Sequence, residues 1–127
     1  MVKVLLIGMG GFIGAILRYV VGGAIQGLSK SALFPIGTLG VNVIGCLLIG
    51  FLSYLVEYRA MFSVEARVFL MIGLLGAFTT YSTFGNETFE LMRGSSYLPA
   101  LINVGAHLVL GLMAVWLGRV IGFAIWR

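Results

Sequence analysis

Residues 73–84 read GLLGAFTTYSTF, and this stretch decides how the chain can fold. Two glycines, Gly73 and Gly76, come before a run from Phe78 to Phe84 made of aromatic, β-branched and hydroxylated residues. Such residues have poor helix propensity, so the run predicts a local break in the helix that contains it. A continuous helix that is only kinked at this point is the alternative.

The sequence around this stretch is apolar enough to need lipid as its solvent. Of the 127 residues, 61% are hydrophobic and 9% are charged, whereas a soluble domain has about 25% charged residues. The length allows a single domain, residues 1–127. The net charge of +4 does not indicate nucleic-acid binding, because the Lys and Arg residues are scattered along the chain.

Four segments have about the 20 apolar residues that a helix needs to cross a bilayer. They are Val4–Ile25, Leu33–Val56, Val68–Arg93 and Leu98–Ile125, joined by polar segments at Gln26–Ala32, Glu57–Arg67 and Gly94–Tyr97. The prediction is therefore an all-α membrane protein with four transmembrane helices, the third of them broken mid-span. Unwound backbone at that depth persists only where it lines protein or a watery cavity. Its freed carbonyls can coordinate cations, and its amide ends can face anions.

Glycine pairs in the first and last spans predict how the helices associate. Gly10 with Gly14 and Gly118 with Gly122 are each four residues apart, so each pair shares one helical face. In lipid, helices pack through such small residues because the backbones can then approach closely.

The basic side chains are divided almost evenly between the two sides of the membrane. With four spans, one side carries both termini and five basic residues: Lys3, Arg59, Arg67, Arg119 and Arg127. The other side carries three: Arg18, Lys30 and Arg93. Lys and Arg near the span ends set orientation, so this small bias predicts insertion both ways up. That permits an antiparallel, dual-topology homodimer whose two-fold axis lies in the membrane plane.

Polar residues within the first two spans are candidates for an ion path. Thr38 and Asn42 lie four apart in GTLGVN, residues 37–42, and so share a helical face. That face is either a polar wall along a path or an interhelical hydrogen-bonding site. Arg18 shares a helical face with Gly14 and is a further candidate. The alternative to a functional role is that its side chain only extends to the lipid headgroups.

The later spans add a second group of candidates. Asn103 and His107 lie four apart on the last span, where a histidine satisfied within the core is the alternative to a functional one. Glu87 and Glu90, near the end of the third span, are expected to face water or to pair with Arg93. The sequence contains no metal-ligand cluster and no nucleophile–base spacing, which argues against an enzyme.

Three stretches of the sequence resemble the small bacterial fluoride channels of the Fluc or CrcB family. They are GGFIGAILRY (residues 10–19), GTLGVNVIG (37–45) and GLLGAFTTYSTFGNE (73–87). The resemblance covers essentially the whole chain, and the third stretch is its most specific part. It implies an antiparallel dimer with two narrow anion paths. It also implies a central, structural sodium ion that is not transported and is held by the backbone carbonyls of Gly76 and Thr79.

The resemblance also implies which residues line the paths. Tyr81 and Phe84 match the pore phenylalanines, and Asn42 matches the pore asparagine. The remaining matches are hydroxyl positions and a carboxylate: Thr38, Ser82, Thr83 and Glu87. Arg18 is predicted to be a structural or vestibule residue. Two departures are that residue 81 is Tyr where Phe is usual, and that His107 and Gly111 occupy places where the last span often has serines.

The expected function is a fluoride-selective channel in the bacterial inner membrane that lets cytoplasmic fluoride leave the cell and so relieves its toxicity. Fluoride is strongly hydrated, so a path must replace its water with donors such as the hydroxyl of Thr80 and the amide of Asn42. One alternative is a small dual-topology exporter of cationic compounds, which would need an acid within a span. Another is a structural subunit, for which the hydroxyl-rich 79–83 run would be unnecessary.

Overall fold

The computed structural model describes residues 1–29 and 33–126. Helix α1 spans Val2–Leu28, α2 spans Ile36–Arg59 and α6 spans Tyr97–Ile125. The third span, Val64–Arg93, consists of α3 (Val64–Arg67), a π-helical segment (Val68–Leu75), α4 (Gly76–Phe78) and α5 (Tyr81–Arg93). All four spans are long and apolar enough to cross a membrane, so the predicted helical membrane fold is confirmed. Lys30 and Arg127, which entered the charge balance, and the end of the first join lie outside the described residues.

The first glycine pair packs α1 against the π segment of the third span. A Cβ added to Gly10 would lie 2.5 Å from the Phe69 carbonyl oxygen, and one added to Gly73 would lie 2.8 Å from the Ile7 carbonyl oxygen. Gly14 meets the carbonyl of Leu74 in the same way. The two backbones are thus in direct contact, which is the arrangement that small residues allow within lipid.

The second glycine pair packs α6 against α2. Gly118 faces main-chain atoms of Leu47 and Phe51, and Gly50 of α2 faces the carbonyl of Val115. A Cβ on Gly122 would lie 2.7 Å from the ring of Tyr54. We call this contact the α2–α6 glycine seam and the preceding one the α1 glycine seam. An ion pair between Arg119 and Glu57 joins the same two helices near their ends.

The third span is interrupted at Thr79 and Thr80, within the stretch from which a break was predicted. Both residues are extended, with φ and ψ of −84° and 159° at Thr79 and −151° and 116° at Thr80. Helical bonding stops where the Thr79 N–H donates to the Leu75 carbonyl at 3.1 Å. It resumes in α5, where the Thr80 hydroxyl accepts a hydrogen bond from the N–H of Thr83 as an N-cap.

Two predicted boundaries differ from the observed ones for local reasons. Helix α2 begins at Ile36 rather than Leu33, because Pro35 occupies its N-cap and cannot continue a helix in the N-terminal direction. The predicted join Glu57–Arg67 is shorter than expected. Helix α2 continues to Arg59 and ends at Ala60, which has a φ of 48°, and α3 begins at Val64 behind a Ser63 cap.

Candidate ion pathway

The Asn42 side chain forms two hydrogen bonds with the backbone of Thr80. The Thr80 N–H donates to Asn42 Oδ1 at 2.8 Å, and Asn42 Nδ2 donates to the Thr80 carbonyl at 3.0 Å. One amide therefore satisfies the Thr80 N–H, which has no helical acceptor at the break, and also donates to the carbonyl of the residue that caps α5. Because Asn42 lies on α2, these bonds also fix the break against a second span.

The same geometry frees a carbonyl at the end of α4. In a continuous helix the Thr80 N–H would bond to the carbonyl of Gly76, but here it bonds to Asn42. Gly76 and Thr79 both line one cavity, and Gly76 is exposed on the single chain. Carbonyl oxygens without a neighbouring acid suit a small, hard monovalent cation, so these residues fit the structural sodium that the resemblance implies.

A large cavity of about 760 Å³ opens on one face of the chain beside the break. The candidate path and sodium-site residues from the sequence that line it are Asn42, Gly76, Thr79, Thr80, Tyr81, Phe84 and His107. The Tyr81 and Phe84 rings have centroids 5.5 Å apart, and the Phe84 and His107 rings 4.3 Å apart. Three aromatic side chains thus follow one another along the wall, and ring edges of this kind carry partial positive charge.

Behind Phe84, a chain of hydrogen bonds connects α5 with α6. The hydroxyl of Thr88 donates to the Phe84 carbonyl at 2.7 Å and accepts from Asn103 Nδ2 at 2.9 Å. His107 Nδ1 lies 2.9 Å from the Asn103 carbonyl. Since a carbonyl can only accept, this nitrogen carries the proton. His107 Nε2 and Asn103 Oδ1 are buried and have no hydrogen-bond partner among the described residues.

A small cavity of about 300 Å³ lies on the other side of the break. Its polar lining is formed by Arg18, Gln26, Thr38, Thr80, Thr83 and Glu87. The Thr38 hydroxyl donates to Glu87 Oε1 at 2.7 Å, and the second oxygen, Oε2, is buried without a partner among the described residues. The expectation that Glu87 faces water or pairs with Arg93 was therefore wrong. Glu90 makes that pair instead, at 2.9 Å, because it lies three residues before the arginine.

Thr80 lines both cavities and is the centre of a hydroxyl cluster. Its hydroxyl donates to Thr83 Oγ1 at 2.9 Å and lies 3.4 Å from Ser82 Oγ. Ser82 itself lines neither cavity, although the resemblance places it along the path. Hydroxyls and the Asn42 amide thus cluster around the residue that lines both cavities.

Two polar contributions were not predicted from the sequence. Gln26 accepts from the Gly37 N–H at 2.9 Å and donates to the Phe34 carbonyl at 3.2 Å, so it fixes the start of α2 beside the small cavity. The second is the hydroxyl of Thr88, which donates to the Phe84 carbonyl. Its position four residues after Phe84 was a signal that the sequence offered. A Thr hydroxyl at that spacing can bond back to the carbonyl of the preceding turn.

These features define a class of protein: a four-span helical membrane protein in which a broken helix places hydroxyls, an amide and aromatic rings around two adjoining cavities. The comparisons identify the family. A family model described as "CrcB-like protein, Camphor Resistance (CrcB)" matches residues 5–119. The chain belongs to the CrcB family, and the resemblance stated from the sequence is confirmed.

Three relatives share the description "Fluoride-specific ion channel". A protein of Methanosarcina barkeri named "Fluoride-specific ion channel FluC 3" is 47% identical over 125 residues, covering 98% of this chain and 93% of the relative. A protein of Parabacteroides distasonis named "Fluoride-specific ion channel FluC" is 47% identical over 124 residues, with coverage of 96% and 94%. A protein of Methanocaldococcus jannaschii with that name is 43% identical over 125 residues, with coverage of 98% of both chains.

Proposed function

We propose that this chain forms a fluoride-selective channel that lets cytoplasmic fluoride leave the cell down its electrochemical gradient and so relieves fluoride toxicity. The observation that carries the proposal is that Thr80 lines both cavities and has hydroxyls and the Asn42 amide clustered around it. The names of the relatives support fluoride as the ion. They give no support to an exporter of cationic compounds or to a catalytic function.

The lining of the path supports an anion. Among the described residues that line the large cavity there is no Asp or Glu, which a cation path would use at this depth. Arg18 in the small cavity supplies a positive charge near the proposed entrance. The Thr38 hydroxyl donates to Glu87 Oε1 at 2.7 Å, so an anion that reaches Thr38 would compete with the Glu87 carboxylate for this proton. It would then meet Thr83 and Thr80, and beyond them the edges of Phe84 and Tyr81.

We propose that the working unit is an antiparallel, dual-topology homodimer. The large cavity lies open on one face of a single chain, so a second copy would be needed to enclose it. The five-to-three division of basic residues supports opposite orientations. Orientation-specific labelling of a cysteine introduced in the Gly94–Tyr97 join would detect this arrangement as accessibility from both sides. Labelling from one side only would contradict it.

A structural sodium ion at the dimer axis is a further part of this proposal. The carbonyls of Gly76 and Thr79 would hold it, and two copies would supply about four oxygens, a hard donor set that sodium accepts. When bound, it would supply a positive charge that lowers the free energy of a nearby anion. Replacing all sodium by a large organic cation should reduce the thermal stability of the dimer. Unchanged stability would mean that water satisfies these carbonyls.

The proposed function is tested directly in proteoliposomes loaded with either potassium fluoride or potassium chloride. After valinomycin is added, fluoride should leave rapidly and chloride should remain, as measured with ion-selective electrodes. The matched control is the Asn42→Asp protein reconstituted at the same density, which should release little fluoride. Equal release of both ions, or no fluoride release from the wild type, would contradict the proposal. We propose that the channel lies in the cell (inner) membrane, since this is the membrane that fluoride would cross on leaving the cytoplasm.

A further inference from the structure

The buried hydrogen bond between Thr88 of α5 and Asn103 of α6 is unusual for its surroundings. Asn103 is 0% exposed and Thr88 is 8% exposed, in a chain whose other buried side chains are mostly apolar. An amide buried away from water costs free energy unless it is hydrogen-bonded, and an apolar residue would fill the same space at no such cost. We call this contact the Thr88–Asn103 bridge.

Both ends of the bridge lead to Phe84, one to its main-chain carbonyl and the other to its aromatic ring. At one end the Thr88 hydroxyl holds the Phe84 carbonyl at 2.7 Å. At the other, the Asn103 carbonyl accepts from Nδ1 of His107, whose ring lies 4.3 Å from that of Phe84. The contacts form a closed loop through Phe84, Thr88, Asn103 and His107. Each helix contributes two residues spaced four apart, so the loop spans one turn of each helix.

The break makes the rotation of α5 depend on contacts such as this loop, which would not be needed for that purpose in a continuous helix. Helix α5 begins at Tyr81, after two extended residues, so helical hydrogen bonds no longer fix its rotation relative to α4. Its rotation therefore depends on lateral contacts with neighbouring helices. A small rotation of α5 would turn the Phe84 ring edge away from the large cavity that it lines.

We propose that Thr88 and Asn103 are positioning residues, which set the rotation of α5 and thereby place Phe84 and His107 along the ion path. This inference rests on the proposed function, since it assigns a role in conduction to residues that do not contact the ion. The competing account is that the bridge only holds two helices together, as interhelical hydrogen bonds in membrane proteins commonly do.

The two accounts differ in what a broken bridge changes. If the bridge positions Phe84, its loss lowers the current through each open channel. If it only stabilises the fold, its loss lowers the number of assembled channels and leaves the current through each one unchanged. Planar-bilayer recording at a fixed fluoride concentration separates the two quantities, because unit conductance and channel number are measured independently.

Isosteric substitutions at both ends of the bridge provide the test. Thr88→Val removes the hydroxyl but keeps the shape, Asn103→Leu removes the amide, and Thr88→Ser keeps the hydroxyl. We expect unit conductance to fall about fivefold in Thr88→Val and in Asn103→Leu. This is the change in an equilibrium constant that corresponds to the net free energy of one intramolecular hydrogen bond. Thr88→Ser should conduct like the wild type. Phe89→Leu, at the next residue, which lines neither cavity and is 55% exposed on the single chain, is the matched control and should also be unchanged.

The double variant Thr88→Val/Asn103→Leu adds a second criterion. Because the two residues act through one bond, the double variant should conduct no worse than either single variant. Wild-type unit conductance in either Thr88→Val or Asn103→Leu would overturn the inference. So would a Thr88→Ser protein whose unit conductance is as low as that of Thr88→Val. A loss of unit conductance in the double variant equal to the product of the two single losses would also overturn it. Either single variant that assembles as a dimer decides the question. A wild-type protein that carries no fluoride current would overturn the proposed function and this inference with it.

Discussion

At the α2–α6 glycine seam, the backbones touch: a Cβ on Gly118 would lie 2.7 Å from the backbone nitrogen of Phe51. At the break in the third span, the backbone of Thr80 is instead held by the side chain of Asn42, through hydrogen bonds of 2.8 and 3.0 Å. The backbone contact at the seam leaves no room for an added atom. The Asn42 hydrogen bonds at the break tolerate a change of shape but not the replacement of a donor by an acceptor. Substitutions in the seam should therefore affect assembly, and those at the break should affect conduction.

The largest effect is expected at the seam. Gly118→Ala adds a methyl group that meets the backbone of α2, which cannot move aside as a side chain would. Overpacking of this kind costs on the order of 1–3 kcal/mol, so the melting temperature and the yield of folded protein should fall. Gly105→Ala is the matched control on the same helix, because a Cβ there has no atom within 4 Å. Equal melting temperatures for the two variants would show that the seam is not tightly packed.

The next largest effect is expected at the break. Asn42→Asp keeps an acceptor for the Thr80 N–H but places a carboxylate oxygen where Nδ2 now donates to the Thr80 carbonyl. Two acceptors then face each other beside a path proposed for an anion, so fluoride flux should fall by at least about tenfold while the dimer still forms. Efflux from proteoliposomes, with dimer content checked by size-exclusion chromatography, measures this. Normal flux through a folded dimer would show that Asn42 serves packing alone.

A smaller effect is expected at the aromatic wall. Phe84→Ile removes a ring whose edge can meet an anion and which also contacts the His107 ring at 4.3 Å. Fluoride flux should fall several-fold, and the melting temperature should change less than in Gly118→Ala. Phe123→Ile, at a ring that is 51% exposed, packs edge-on against Tyr54 and lines neither cavity, serves as a control for the loss of an aromatic residue. Similar flux in both variants would contradict an aromatic role in conduction.

The smallest effect is expected at Tyr81. Its ring is 82% exposed on the single chain and lies 5.5 Å from that of Phe84. Tyr81→Phe keeps the ring edge and removes only the hydroxyl, so fluoride flux should equal or slightly exceed that of the wild type. A severe loss of flux would show that the phenol hydroxyl, rather than the ring, is the important group.

The same contrast explains what the sequence could predict. The break was predicted correctly because the 78–84 run has poor helix propensity, a local property. The four spans followed from apolar length alone. The π segment Val68–Leu75 was not predicted, since an almost wholly apolar stretch has no hydrophobic periodicity from which an extra residue per turn could be inferred.

The missed contacts at the site are those between distant residues. The Thr88–Asn103 bridge joins positions 15 apart, and its formation depends on the rotation of α5 relative to α6. Glu87 was misplaced for the same reason: its bond to Thr38 spans 49 residues and needs α2 and α5 to lie side by side. Residue types and local spacing indicate which groups are available for a site, but helix packing decides which of them meet.

The central claim is that a donor-lined path at the broken third span selects fluoride. The most direct measurement is the reversal potential of the purified protein in a planar bilayer, with a gradient of fluoride against a background of chloride at equal concentration on both sides. The account predicts a reversal potential close to the fluoride equilibrium potential. A reversal potential near zero, or one of opposite sign that follows the gradient of the accompanying cation, would contradict it.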